Sequence, residues 1–229
     1  MFRNEWSFLI KKTMKKTFAV VLSGCGVFDG SEIGEAMMTL LAIEEAGCAY
    51  QMFAPDKKQM HVVNHLTGQP MAEDRNVLTE SARIARGNVK DLKTYDPAAF
   101  DGLLFPGGFG AGKNLSTFAV DGASMTVDAD VEAAIRKTMA AGKPIGAMCI
   151  APVILGRLIP GVKVTVGHDK GTDEALKAMG ACPVDVFGPE VVYDEAHNVY
   201  TTPCYMLPDA TLGVVAACCR NLMAEILAR

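Results

Sequence analysis

Ile145-Gly-Ala-Met-Cys149-Ile-Ala-Pro-Val-Ile-Leu155 is the stretch whose reading decides the fold. An apolar run ending at Met148 meets a cysteine, and a second apolar run with helical character begins at once. A strand that turns abruptly into a helix on one residue holds that side chain in a strained turn. The amino end of the new helix then lies close by, where free N–H groups and the dipole favour a thiolate. Gly146 and Ala151 are small enough for the turn to pass without a side-chain clash. Taken alone, the stretch suits an ordinary buried thiol equally well, since free cysteines pack readily into cores.

The flanking sequence repeats the same strand-then-helix pattern. Phe18–Leu22 is a short apolar run closing on Ser23-Gly-Cys-Gly26, the signature of a strand buried on both faces. A helix follows over Ser31–Glu45, with Met37, Leu40, Leu41 and Ile43 at helical spacing and Gly47 beyond its end. Ala49–Phe53 supplies a second strand, and β-α-β order calls for a parallel sheet with a right-handed crossover. Leu103–Phe105 and Ile145–Met148 are further buried strands. Val162–Val166, Val191–Tyr193 and Val199–Thr201 complete the set. Helices are expected over Leu78–Arg86, Asp128–Ala140, Ala151–Leu158 and Thr172–Met179. The clearest, Thr211–Arg229, carries an apolar stripe of Leu212, Val215, Cys219, Leu222, Met223 and Ile226. His61–Leu66 with Thr67-Gly68 reads as an inserted hairpin. The fold class is therefore α/β, a single doubly wound, mostly parallel sheet flanked by helices over residues 14–229. Residues 1–13 read as an N-terminal extension ahead of a natural start at Met14.

Composition narrows the function. A net charge of -4 leaves no basic surplus to attract nucleic acid or an anionic membrane surface. No apolar run is long enough to span a bilayer. The seven cysteines show neither a paired framework nor C-x-x-C spacing. That points to a reducing compartment, read here as the cytoplasm. Acidic and histidine residues do not cluster at metal-ligand spacing, and Gly24-x-Gly26 lacks the third glycine of a dinucleotide fingerprint. Neither a metal nor a cofactor is expected.

In a doubly wound sheet, ligands bind beyond the carboxyl ends of the strands. Cys149, Pro106-Gly107-Gly108 and the segment Gly24–Glu35 all fall there. Consecutive glycines offer bare N–H groups that can receive an oxyanion. Glu32 and Glu35 open the first helix, where a glutamate ordinarily serves as a cap. If Glu35 instead faces the strand ends, burial raises its pKa, and a protonated carboxyl can bond a thiolate and relay protons. His168, after Val162–Val166, is either a base for the cysteine or an exposed loop residue. His61 and His65 read as surface residues and His197 as part of a turn.

Phe105-Pro-Gly-Gly108, Gly146-Ala-Met-Cys149 with Pro152, and Glu35 together resemble the PfpI superfamily, with its class I glutamine amidotransferase-like fold. Ser23-Gly-Cys-Gly26, Asp29-Gly-Ser-Glu32, the run from Phe105 to Asn114 and Thr201-Thr-Pro-Cys-Tyr-Met206 look closer to the ElbB group. Members of that group are isoprenoid biosynthesis proteins with an amidotransferase-like domain. The resemblance implies Cys149 as nucleophile, Glu35 as its carboxyl partner, and N–H groups of Gly107 or Gly108 and Ile150 as the oxyanion pocket. It also implies a cofactor-free glyoxalase that takes the small aldehyde glyoxal to glycolate, assembled as a homodimer. Thr201-Thr-Pro203 stands where glutamine amidotransferases carry a His-x-Glu pair, which disfavours glutaminase activity. Ile150 stands where peptidase members carry histidine, which disfavours peptidase activity. A redox-sensing role, with Cys149 oxidised and no substrate turned over, is the alternative.

Overall fold

The structure is a computed structural model describing residues 16–229, so the expected extension over 1–13 lies outside the described residues. The chain opens with Thr17–Val21 (β1), Ile33–Glu45 (α1) and Ala49–Ala54 (β2). A small hairpin, Val63–Asn64 (β3) and Gln69–Pro70 (β4), precedes Val77–Ile84 (α2) and Val89–Asp91 (β5). Gly102–Phe105 (β6) leads to two short helices, Phe109–Lys113 (α3) and Phe118–Asp121 (α4), and then Ala129–Ala140 (α5). The elbow joins Ile145–Met148 (β7) to Pro152–Leu158 (α6). Beyond it come Lys163–Val164 (β8), Lys170–Ala178 (α7) and Cys182–Pro183 (β9). Val192–Asp194 (β10), Val199–Thr202 (β11) and Leu212–Ala228 (α8) close the chain.

Seven strands make the main sheet in the order β10-β11-β7-β6-β1-β2-β5. Every pairing is parallel except that of the edge strand β10 with β11. Successive strand residues face opposite sides, so a strand covered on both sides must be apolar throughout. Ala19, Val21, Leu103, Phe105, Ile145 and Ala147 enter one core cluster, which also takes Val153 and Leu155 of α6 and Ile135 of α5. Phe18, Val20, Leu104 and Met148 enter the other, against Leu40 and Ile43 of α1 and Leu222 and Ile226 of α8. The doubly wound sheet expected from the strand-helix alternation is thus the observed architecture.

Several expectations need correction. Val162–Val166 does not join the main sheet: its centre, β8, pairs only with β9 in a separate two-stranded ribbon. The place beside β7 belongs to β11. Met37 and Leu41, expected in the core, are exposed on α1, because the buried face of that helix runs through Glu35, Ala36, Thr39, Leu40 and Ile43. Leu212 at the start of α8 is likewise exposed. The edge strand β5 escaped notice because Val-Lys-Asp lacks an apolar run. The helices α3 and α4 escaped because glycine-rich Phe109–Lys113 reads as turn.

Gly146 lies under α8, where a Cβ would meet Leu104 Cδ2 of β6 at 2.5 Å and Leu222 Cδ2 of α8 at 3.2 Å. Gly146→Ala is expected to destabilise the protein by about 1–3 kcal/mol through overpacking. Urea unfolding of the variant measures this; an unchanged midpoint would show that the contact is relieved at no cost.

Candidate functional site

The site is assembled from four loops at the carboxyl ends of β1, β6, β7 and β11. Cys149 follows Met148 directly and takes φ 59°, a left-handed conformation that side chains beyond glycine rarely adopt. Its own N–H bonds the Thr202 carbonyl at 3.1 Å, which fixes the turn to the end of β11. Such strain persists only where surrounding bonds enforce it. Cys149 is 8 % exposed and lines a cavity.

The loop after β1 brings in the carboxyl. Glu32 caps α1, its side chain accepting the Glu35 N–H at 2.6 Å. Glu35 itself is turned inward and fully buried. Its Oε2 accepts the Gly107 N–H at 3.0 Å and its Oε1 accepts the Tyr205 N–H at 3.1 Å. It faces Cys149 across Gly107, where a Cβ would lie 2.7 Å from the carboxyl oxygen and 2.9 Å from the sulfur. Of the two early glutamates, Glu32 is the cap and Glu35 the inward acid.

Burial pushes the Glu35 carboxyl up to about 8, against the lowering effect of its hydrogen bonds. Burial also pushes the Cys149 thiol well up, and the Glu35 charge adds to it, while N–H groups of Gly108 and Ile150 favour the thiolate. The pair therefore holds its protons more tightly than either group does in water, and at most one negative charge is shared between sulfur and carboxyl. Those two N–H groups lie at the sulfur, and donors so placed can receive negative charge that forms there.

Glycine is required twice in the loop after β6. A Cβ on Gly107 would lie 2.4 Å from Cys149 Cβ and 2.7 Å from Glu35 Oε2. Gly108 has φ 96°, and a Cβ there would strike the Glu32 nitrogen at 2.3 Å. Asn114, which sequence reasoning quoted without assigning a role, is a buried clamp. Its Nδ2 donates to the carbonyls of Ser23 and Asp29, both at 2.8 Å, and so ties the loop after β6 to the loop after β1. Tyr205 was missed as well, because its contribution is a backbone N–H that no side-chain pattern announces.

His168 is not brought to Cys149. Its ring stacks on Phe187 with centroids 4.7 Å apart, and its Nδ1 lies 3.3 Å from the Val186 carbonyl. The departure of β8 from the main sheet explains this, since His168 follows a strand that does not end beside β7. The other histidines behave as read: His61 and His65 are exposed, and His197 bonds Asp194 within its turn at 2.9 Å. Among the described residues, no group of three or more His, Cys, Asp or Glu could hold a metal ion. No described helix is long and apolar enough to cross a membrane.

No protein-family model matches the chain. Curated relatives do. It is 50% identical over 204 residues to the human glutamine amidotransferase-like class 1 domain-containing protein 3, mitochondrial, covering 84% of this chain and 75% of that protein. It is 48% identical over 198 residues to the rat ES1 protein homolog, mitochondrial, covering 82% of this chain and 74% of the other. Among solved structures, an isoprenoid biosynthesis protein with amidotransferase-like domain from Ehrlichia chaffeensis superposes with a TM-score of 0.85 at 35% identity. That match covers 93% of this chain and 99% of the other. Drosophila melanogaster DJ-1beta, at 17% identity and a TM-score of 0.56, covering 94% of this chain and 92% of the other, shares the fold alone. The cytoplasmic placement does not stand, because the curated relatives are named as mitochondrial proteins. Unpaired cysteines report a reducing environment, and the cytoplasm is not the only compartment that provides one.

The raised Glu35 carboxyl has a consequence for stability. Between its ordinary value of 4.5 and about 8, the folded protein holds a proton that the unfolded chain has released. Stability should be greatest below pH 4.5 as far as this group decides it, fall as pH rises to about 8, and level off above. The total is on the order of several kcal/mol. Urea titrations at stepped pH should show this slope in the wild type and a flat response in Glu35→Gln; equal slopes in both would remove Glu35 as its source.

Proposed function

The chain belongs to the family of ES1 and glutamine amidotransferase-like class 1 domain-containing proteins, and we propose that it is a cofactor-independent, cysteine-dependent glyoxalase of the ElbB type. The carrying observation is the contact of Cys149 with the buried Glu35, beside two backbone donors and a cavity. Glu35 takes the thiol proton, and the thiolate adds to one aldehyde carbon of glyoxal, forming a C–S bond and an oxyanion. The Gly108 and Ile150 N–H groups hold that oxygen. Glu35 returns the thiol proton to that oxygen, giving the hemithioacetal, and as a carboxylate then moves a proton from the sulfur-bound carbon to the neighbouring one, which turns the hemithioacetal into a thioester of glycolate. Water cleaves the C–S bond, releasing glycolate and restoring the thiol. One carbon is oxidised and its neighbour reduced, so no external oxidant enters.

The exposed face of α1 supports a homodimer. Ile33, Met37 and Leu41, spaced one turn apart, are 48%, 43% and 37% exposed, and Leu212 at 52% extends the patch. Met37→Asp should shift the protein from dimer to monomer in analytical ultracentrifugation; a wild type that sediments as a monomer refutes the assembly.

Glyoxal consumption tests the activity. Cys149→Ala should abolish turnover, Glu35→Gln should lower kcat roughly 100-fold or more, and His168→Ala should change it less than threefold. The wild-type rate should climb as pH rises toward about 8, where the Glu35 carboxyl gives up its proton. Wild-type consumption no faster than buffer, with selective oxidation of Cys149, would instead favour the redox sensor.

A further inference from the structure

The cavity in front of Cys149 is built for something other than the smallest aldehyde. It encloses about 550 Å³. A molecule of glyoxal matches two or three waters in bulk, roughly 60–90 Å³ at about 30 Å³ per water, and would leave most of that space without contact. Its apolar walls come from Val27, Phe109, Phe118, Ala119, Ile150 and Met206. They belong to five separate loops or short helices, and Phe109 stands 52% exposed.

The polar lining is acidic. Glu32 and Asp169 are the charged residues on the wall, and no lysine, arginine or histidine among the described residues joins them. A hydrogen bond from Thr172 holds the Asp169 carboxyl below its ordinary value. Helix amino ends would ordinarily welcome an anion, but those of α1 and α7 are already occupied by their own caps. Glu32 accepts the Glu35 N–H and Asp169 accepts the Thr172 N–H at 2.8 Å. Lys113, on the same short helix as Phe109, is turned away: its Nζ donates to the Phe28 carbonyl at 2.7 Å and lies 5.5 Å from the Phe109 ring centre. A negatively charged substituent would enter a space whose charged wall residues are both acidic.

We infer that the Cys149 cavity selects uncharged α-oxoaldehydes bearing an aromatic or bulky aliphatic group, and discriminates against anionic ones. This rests on the aldehyde reading above and narrows its substrate class. The overall reaction is R–CO–CHO plus water giving R–CH(OH)–COO⁻ plus a proton: the terminal carbon is oxidised, its neighbour is reduced, and no other reactant is consumed. The group R lies among Phe109, Phe118 and Met206 while the terminal aldehyde carbon meets the sulfur. Any upstream reaction would have to place an aldehyde next to a ketone on an apolar skeleton.

Turnover by the full chain of glyoxal, phenylglyoxal and 4-carboxyphenylglyoxal tests this, each rate divided by that of the same aldehyde with a free small thiol. Normalised kcat/KM for phenylglyoxal should exceed that for glyoxal by roughly 10- to 100-fold, and that for the carboxylated analogue by at least tenfold. Asp169→Asn, which keeps a competent cap while removing the charge, should shrink the discrimination against the carboxylated compound. Equal normalised values, or a preference for the anion, overturn the inference while leaving the glyoxalase reading intact. If no aldehyde is turned over, peptide mass spectrometry of Cys149 alkylation by N-phenyliodoacetamide, iodoacetamide and iodoacetate still decides the point. Rates falling in that order relative to free cysteine retain the cavity's selectivity and refute only the turnover; rates that track free cysteine refute the selectivity as well.

Discussion

A carboxyl group with no exposure to water has to be held by something, and in this protein what holds Glu35 also builds the site. One oxygen is bonded by the amide of Gly107 and the other by the amide of Tyr205. Those two amides lie at the ends of β6 and β11, while Glu35 itself arrives from the loop after β1 and Cys149 from the end of β7. The acid is thus the common point of four chain segments. Leaving a buried polar group unpaired costs more than forming its bonds returns, so the loops are constrained to this arrangement rather than merely permitted it. The raised proton affinity of the acid follows from the same burial that fixes its position.

Parallel topology supplies the rest. When strands run the same way, every strand-to-helix turn falls on one edge of the sheet, and helix amino ends gather there. The turn at Cys149 uses that edge directly, with its left-handed backbone pinned to Thr202. The turn after β6 uses it by subtraction, since Gly107 and Gly108 have no side chains where Cys149, Glu35 and Glu32 need the room. Ser23, Ser31 and Asn114 take up the remaining polar groups of the loop after β1, with Ser23 and Ser31 hydroxyls 3.2 Å apart.

The central strands were legible because burial on both faces forces continuous apolar runs, and Phe18–Leu22, Leu103–Phe105 and Ile145–Met148 show them. Cys149 and Gly107-Gly108 were legible because a cysteine at a strand end and a side-chain-free turn leave marks in residue type. What could not be read was anything set by register or by backbone atoms. The Tyr205 amide leaves no trace in the identity of Tyr205. The pairing of Val162–Val166 with β9 instead of the main sheet leaves no mark in its residues, since it and Val199–Thr202 are both short β-branched runs. Of the two readings of His168, the structure favours the residue away from the sulfur, stacked on Phe187. On α1, helical spacing identified an apolar set, but two stripes were available. The requirement to bury Glu35 selected the one that leaves Met37 and Leu41 outside.

The absence of an imidazole at the sulfur changes what the site can do. Where a histidine serves a cysteine, the resting pair can separate charge as thiolate and imidazolium, which helps a thiol attack a carbonyl and then protonates a leaving amine. A cysteine paired with a carboxyl can never carry a net positive charge. With both groups raised by burial, the pair is neutral or singly negative near neutral pH. Such a pair is poorly suited to expelling an amine, which needs a strong proton donor at the leaving nitrogen. It is well suited to isomerising a sulfur-bound carbonyl compound, where one proton is taken from a carbon and returned to its neighbour with no amine leaving group at all. The lack of a histidine in Thr201-Thr-Pro203 at the end of β11 and the burial of Glu35 together leave the sulfur with an acid as its neighbour.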